Sequence, residues 1–186
     1  KSAKIAVYSP PDKQPWDDAV TLALTYAEID YDVIFDDEIF AGALKKYDWL
    51  HLHHEDFTGQ YGKFYRNFRN AGWYKQQQLA FETRAARYGF TSVSNMKKAI
   101  VREIKEYVQK GGFLFAMCSA TDSFDIALAT LNTDIASAVF DGTPVDPDYK
   151  SKVNYSNSIA FENYEIYTNP MIYEYSNIDY PPSHIP

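Results

Sequence analysis

Four short apolar runs, each separated from the next by a polar or helix-patterned stretch, constrain this chain more than any other feature. They are Ile5-Ala-Val-Tyr8, Tyr31-Asp-Val-Ile-Phe35, Tyr47-Asp-Trp-Leu-His-Leu-His53 and Phe113-Leu-Phe-Ala-Met117. Runs of this length, rich in β-branched and aromatic residues and closed by turn residues such as Ser9-Pro10-Pro11, read as strands. The last of them reads as a buried strand. After the first, Ala19, Val20, Ala23, Leu24 and Ala27 recur at helical spacing, which predicts a helix over 16–28. Asp17 and Asp18 fall at its N-terminus, where the helix dipole favours negative charge. A short helical or turning stretch is expected around Glu38 to Leu44. The clearest helix lies over 96–108, with Ile100, Ile104 and Val108 on one face and Gly111-Gly112 ending it. A helix between two strands returns the chain to the same end of a sheet, so the strands pair in parallel and helices cover both faces. The expected fold is a three-layer α/β domain.

That core is expected over 1–132, interrupted by an aromatic insertion at about 55–90, with 133–186 as an irregular extension of the same domain. In the extension, Asp141-Gly-Thr-Pro-Val-Asp-Pro-Asp148 reads as a loop, and Ser158 to Phe161 and Tyr164 to Thr168 read as extended segments. The start at Lys1 without Met and the close on Tyr180-Pro-Pro-Ser-His-Ile-Pro186 read as those of a truncated piece of a longer protein.

Composition narrows the function classes. A net charge of -7 argues against a phosphate-backbone binder, whose affinity is built from clustered Lys and Arg, so no nucleic-acid partner is expected. No apolar run approaches the roughly 20 residues needed to span a bilayer. Aromatic residues reach 17%, many of them interleaved with polar ones in Tyr61 to Tyr74 and Tyr155 to Tyr180, which implies amphipathic surfaces for burial or binding. With 1 Cys in the chain, no internal disulfide can form and the thiol needs its own explanation.

In open parallel sheets, ligands lie outside the carboxyl ends of the strands, and two strand ends here are chemically unusual. In Ala116-Met-Cys-Ser-Ala120 a cysteine leaves a strand and meets cap residues at once, Ser119-Ala-Thr-Asp122, ahead of a helix expected over 124–129. Such an elbow exposes the sulfur of Cys118 beside unpaired backbone N–H groups, which favour a nucleophilic thiolate. The N–H groups of Ser119 and Ala120 are candidates for an oxyanion hole. The other strand end is His51-Leu-His-His-Glu-Asp56. Alternation puts His51 and His53 on one face with Trp49 and leaves His54, Glu55 and Asp56 at the tip. His53 or His54 suits a general base for Cys118, with Glu55 or Asp56 orienting the ring. Two other roles stay open for these residues: holding a divalent metal such as zinc, and hydrogen-bonding one another to position the insertion. Free cysteine is also a common buried residue, so plain packing is the alternative for Cys118. Asp122 and Asp125 read as capping groups, and His184 lies in the Pro-rich tail.

The elbow and the helix before it, Tyr107-Val-Gln-Lys-Gly-Gly112, resemble the nucleophile region of class I glutamine amidotransferase-like domains, and the resemblance runs from about Lys4 to Leu131. Trp16-Asp-Asp-Ala-Val-Thr-Leu22, Asp48 to Gly62 and Phe113 to Cys118 more closely resemble a bacterial family often labelled asparagine synthetase B. The resemblance implies a flavodoxin-like, amidotransferase-like sheet and an elbow cysteine that attacks the side-chain amide of glutamine. It also implies longer relatives with a secretory signal, hence a periplasmic or cell-envelope location, with the cytoplasm as the alternative. Class I amidotransferases flank the nucleophile with glycines and take a His and Glu from a later segment. Here the flanking residues are Ala116 and Ala120, and His184 is the one histidine after Cys118. Two functions follow as expectations. One is a cysteine-dependent amide hydrolase or acyl-transfer enzyme acting on a small amide without a cofactor. The other is a non-catalytic binding or assembly domain of the cell envelope that contacts other segments of a longer chain or envelope proteins.

Overall fold

The computed structural model describes residues 2–11 and 19–179. In chain order its main elements are β1 (Ile5–Tyr8), α1 (Ala19–Tyr26), β2 (Tyr31–Ile34), α2 (Asp36–Phe40), β3 (Trp49–Leu52), α3 (Tyr65–Phe68), α4 (Gly72–Arg87), α5 (Val93–Gln109), β4 (Phe113–Ala116), α6 (Ser119–Ala129), α7 (Ala138–Asp141) and α8 (Tyr149–Lys152). The chain divides into two compact units. One comprises the chain up to Glu55 together with Arg102–Thr121; the other comprises Asp56–Val101 together with the chain from Asp122 onward.

The first unit holds a four-stranded, all-parallel sheet in the order β2-β1-β3-β4, flanked by helices. β1 lies inside the sheet because all four of its residues are apolar and none of its backbone is needed at an edge; each is buried. One face is filled by Ile5, Val7 and Leu24 with Val20, Tyr31 and Trp49 around them. Leu50 and Leu52 of β3 are fully buried. The chain steps from β1 to β2 on one side and then to β3 on the other, so the strand order reverses beside β1, the switch point at whose carboxyl ends parallel sheets bind ligands.

Two expectations are corrected. Phe113-Leu-Phe-Ala-Met117 reads as a buried strand, but β4 is the outermost strand, and alternation leaves Phe113 56% and Phe115 42% exposed. The helix expected over 124–129 begins five residues earlier, at Ser119, so that Ser119-Ala-Thr-Asp122 forms its first turn. The helix expected over 16–28 is observed as Ala19–Tyr26; Asp17 and Asp18, like His184 in the tail, lie outside the described residues.

In the second unit, Ile126, Ala129, Ile135, Tyr164, Ile166 and Tyr175 form an apolar core. The expected extended segment Ser158 to Phe161 is instead a turn wrapped around one carboxylate. Asp125, 1% exposed, accepts hydrogen bonds from the main-chain N–H groups of Ile159, Ala160 and Phe161, each at 2.8 Å. The segment Tyr164 to Thr168 contributes a single antiparallel bridge, Ile166 to Ser176. Tyr61, Gly62 and Lys63 make a left-handed turn at φ 51°, 72° and 60°. Lys63 is buried there and donates through Nζ to the carbonyls of Tyr167 (2.7 Å) and Asn169 (3.3 Å). Burial lowers its pKa to about 8.

Candidate functional site at the carboxyl ends of β3 and β4

Cys118 sits two residues beyond β4, with α6 starting at the next position. The chain turns from strand to helix through Met117 and Cys118, and Cys118 takes φ 53°, in the left-handed region. A side chain with a Cβ meets the following carbonyl there, at a cost of about 1–2 kcal/mol. The turn is stitched on both sides. Met117 N–H donates to the Leu52 carbonyl (3.1 Å), extending the β3–β4 ladder, and Thr121 N–H donates to the Cys118 carbonyl (3.0 Å), opening the helix. The thiol is exposed, as an elbow requires and as simple packing would not give.

Facing it is the end of β3. His51, within the strand, is fully buried, and its ring stacks on Phe115 (centroids 5.7 Å) and on His53 (6.0 Å), as alternation along the strand requires. The strand stops at Leu52, so His53 and His54 escape the rule that puts successive side chains on opposite faces. Their rings lie side by side, with centroids 3.3 Å apart. His53 is buried and His54 half-buried. Donor nitrogens of the two imidazoles and the sulfur of Cys118 all lie within 4.8 Å of one another.

The main chain holds this group in place. Ala120 N–H donates to the His53 carbonyl (3.2 Å), and Ser119 Oγ donates to the His54 carbonyl (2.6 Å). The elbow therefore grips both histidine peptides while their rings remain turned to the sulfur. Glu55, also buried, accepts from the main-chain N–H of His53 through Oε2 (3.0 Å). It fixes the histidine backbone. Asp56 organises the loop that follows, accepting from Thr58 N–H (2.7 Å), Thr58 Oγ1 (2.6 Å) and Gly62 N–H (3.1 Å). Of the two expected oxyanion donors, the Ala120 N–H is engaged with His53, so an incoming oxyanion would have to share or displace that bond, whereas Ser119 N–H stands at the start of α6.

The structure thus brings Cys118, His53 and His54 together and places Ser119, Ala120 and Glu55 as their main-chain supports. Asp122 and Asp125 carry other duties. Asp125 binds the 159–161 turn, and Asp122 accepts from Ser176 Oγ (3.0 Å). Burial, and next the neighbouring carboxylate of Asp179, raise the Asp122 pKa from 3.8 to about 7. A hollow of about 520 Å³ opens at the other end of the sheet, among Ile39, Leu44, Tyr47, Asp48 and Tyr107. It lies at the amino ends of β3 and β4, away from the strand ends where parallel sheets bind ligands.

What sequence reasoning missed is Phe115, which closes the stack behind His51; its alternation with Phe113 was the available signal. The chain matches no protein-family model, no curated protein and no solved structure. Among the described residues, no helix is long and apolar enough to cross a membrane.

Proposed function

We propose that this chain is an amidotransferase-like domain whose Cys118 acts as the nucleophile of an amide hydrolase or acyl-transfer enzyme. The observation that carries this reading is the left-handed Cys118 between β4 and α6, with two imidazoles within 4.8 Å of its sulfur. Backbone strain at an exposed nucleophile is what an elbow is built to hold. The strand order β2-β1-β3-β4 agrees with the flavodoxin-like arrangement on which amidotransferase-like domains are built.

In this reading the Cys118 S–H proton passes to an imidazole of the His53–His54 pair. The thiolate attacks the amide carbon, and the oxyanion forms against the N–H groups at the start of α6. Collapse breaks the C–N bond, the imidazolium returns its proton to the departing amine, and a thioester remains. Water, deprotonated by the same imidazole, then releases the acid and restores the thiol. Two histidines replace the single distant one of the class I pattern. Their main-chain carbonyls are tied to Ser119 and Ala120, so nucleophile and base are held by the same hydrogen bonds.

Alkylation by iodoacetamide tests this. Native Cys118 should react at least about tenfold faster than glutathione at the same pH, reflecting thiolate character, and paired H53Q and H54Q substitutions should remove the advantage. Reaction no faster than glutathione ends the nucleophile reading. In that case the exposed Phe113 and Phe115 on the edge of the sheet favour a binding or assembly domain instead.

A further inference from the structure

We infer that Cys118, His53 and His54 form a binding site for a single borderline-soft divalent ion, with Zn²⁺ as the natural occupant, and that the ion takes the thiolate out of chemical reach. The inference stands on the donor set and its geometry and does not need the catalytic reading to be right.

One thiolate and two imidazoles are the donors that Zn²⁺ prefers over the carboxylates and carbonyls chosen by Mg²⁺ or Ca²⁺. A tetrahedral Zn²⁺ with ordinary bond lengths would set its nitrogen and sulfur ligands about 3.3–3.6 Å apart. The three donor atoms already lie within 4.8 Å of one another, so side-chain rotation alone can close the set. On one tetrahedral Zn²⁺ the two imidazole centroids would lie about 5 Å apart, so the rings, packed together with centroids at 3.3 Å, would splay to present one nitrogen each to the ion.

The second support is preorganisation. A metal site is weak when its ligands must be ordered at the moment of binding, and strong when supporting bonds hold them. Here Ser119 Oγ holds the His54 peptide at 2.6 Å, Ala120 N–H holds that of His53 at 3.2 Å, and Glu55 holds the His53 N–H at 3.0 Å. The left-handed φ of Cys118 sets the direction of its Cα–Cβ bond, and rotation about that bond places the sulfur. Three protein ligands leave one tetrahedral position vacant, and the exposed thiol places that position on the solvent side, where water or a small anion would complete the shell. On ligation the thiol loses its proton to solvent and both imidazoles bind through neutral nitrogens, so charge and protons balance.

The test is Co²⁺ titration of the chelator-stripped chain, read by sulfur-to-cobalt charge transfer in the near ultraviolet and by the visible bands of tetrahedral Co²⁺. One equivalent should generate both signals, and Zn²⁺ should displace them. H53Q and H54Q should each weaken binding by about tenfold or more, and C118S should abolish the charge-transfer band. In a second arm, one equivalent of Zn²⁺ should slow iodoacetamide alkylation of Cys118 by about tenfold or more, with EDTA restoring the metal-free rate. Absence of the band in the wild-type chain overturns the proposal, as does a band of undiminished affinity in both histidine variants, which would mark binding by the thiol alone. The metal-free alkylation rate tests the nucleophile separately, so either idea can fail without the other.

Discussion

If strain at Cys118 is held for the sake of the elbow, relieving it should make the protein more stable and less reactive together. Cys118→Gly and Cys118→Ala both remove an exposed thiol, so each loses little packing, within about 0.5 kcal/mol. They differ in the backbone. Alanine keeps the Cβ that opposes φ 53°, a strain of about 1–2 kcal/mol, while glycine removes it. Glycine also loses more conformational freedom on folding, about 0.5–1 kcal/mol relative to alanine. Taking the middle of each range, the glycine variant is more stable by about 0.75 kcal/mol. For a chain of 186 residues this corresponds to a Tm about 1–4 °C higher than that of the alanine variant. Paired urea unfolding curves with equal m values are the assay, since the comparison cancels everything the two variants share. A glycine variant no more stable than the alanine variant would refute the claim that the elbow is strained, and with it the observation on which the functional reading rests.

Two further predictions concern the second unit. Asp125→Ala leaves three main-chain N–H groups without their carboxylate and should destabilise the chain by about 3–5 kcal/mol in urea unfolding, with amide exchange at Ile159, Ala160 and Phe161 accelerated; a loss below about 1 kcal/mol would show the turn to be held by something else. Asp122→Asn tests the raised carboxyl. Because the folded Asp122 keeps its proton to about pH 7 while the unfolded one loses it near 3.8, the folded state binds more protons in that window, so stability falls as pH climbs through it. The variant should flatten that slope, at most about 1.4 kcal/mol per pH unit, and an unchanged slope from pH 4 to 7 would assign the proton elsewhere.

The sheet was readable because its signal is local. Ile5 to Tyr8 is apolar throughout and bounded by Pro10, and the strand ends where the turn residues begin. α5 extends the expected 96–108 to Val93–Gln109 with a strong 3.6-residue periodicity, and Gly111 follows its end. The elbow was legible in position but not in geometry. A left-handed residue is normally announced by Gly or Asn, and here a Cys occupies it, flanked by alanines, so neither the φ of Cys118 nor the early start of α6 could be read from residue preference. The edge position of β4 was hidden for a different reason. Phe-Leu-Phe-Ala looks alike in a central and an outer strand, and only the order of strands distinguishes them. Beyond Leu131 the local signal fails because a carboxylate, not a ladder, organises the backbone. Asp125 gathers N–H groups 34 to 36 residues away, a pairing that no window of sequence contains.

The same reasoning explains why the histidines could be named but not arranged. Two adjacent residues on a strand face opposite ways, and a period-two reading of His53-His54 predicts that at most one meets Cys118. Both do because β3 ends at Leu52 and the main chain beyond it is captured by the elbow 65 residues later, through Ser119 Oγ on the His54 carbonyl and Ala120 N–H on the His53 carbonyl. Each of these bonds uses the backbone of the histidine and not its ring. An arrangement in which Ser119 or Ala120 bonded the rings would hold the same residues just as firmly and would disable them as proton carriers and as metal donors. Under the proposed function, this division of labour, peptides for support and rings for chemistry, is what would let Cys118, His53 and His54 act together.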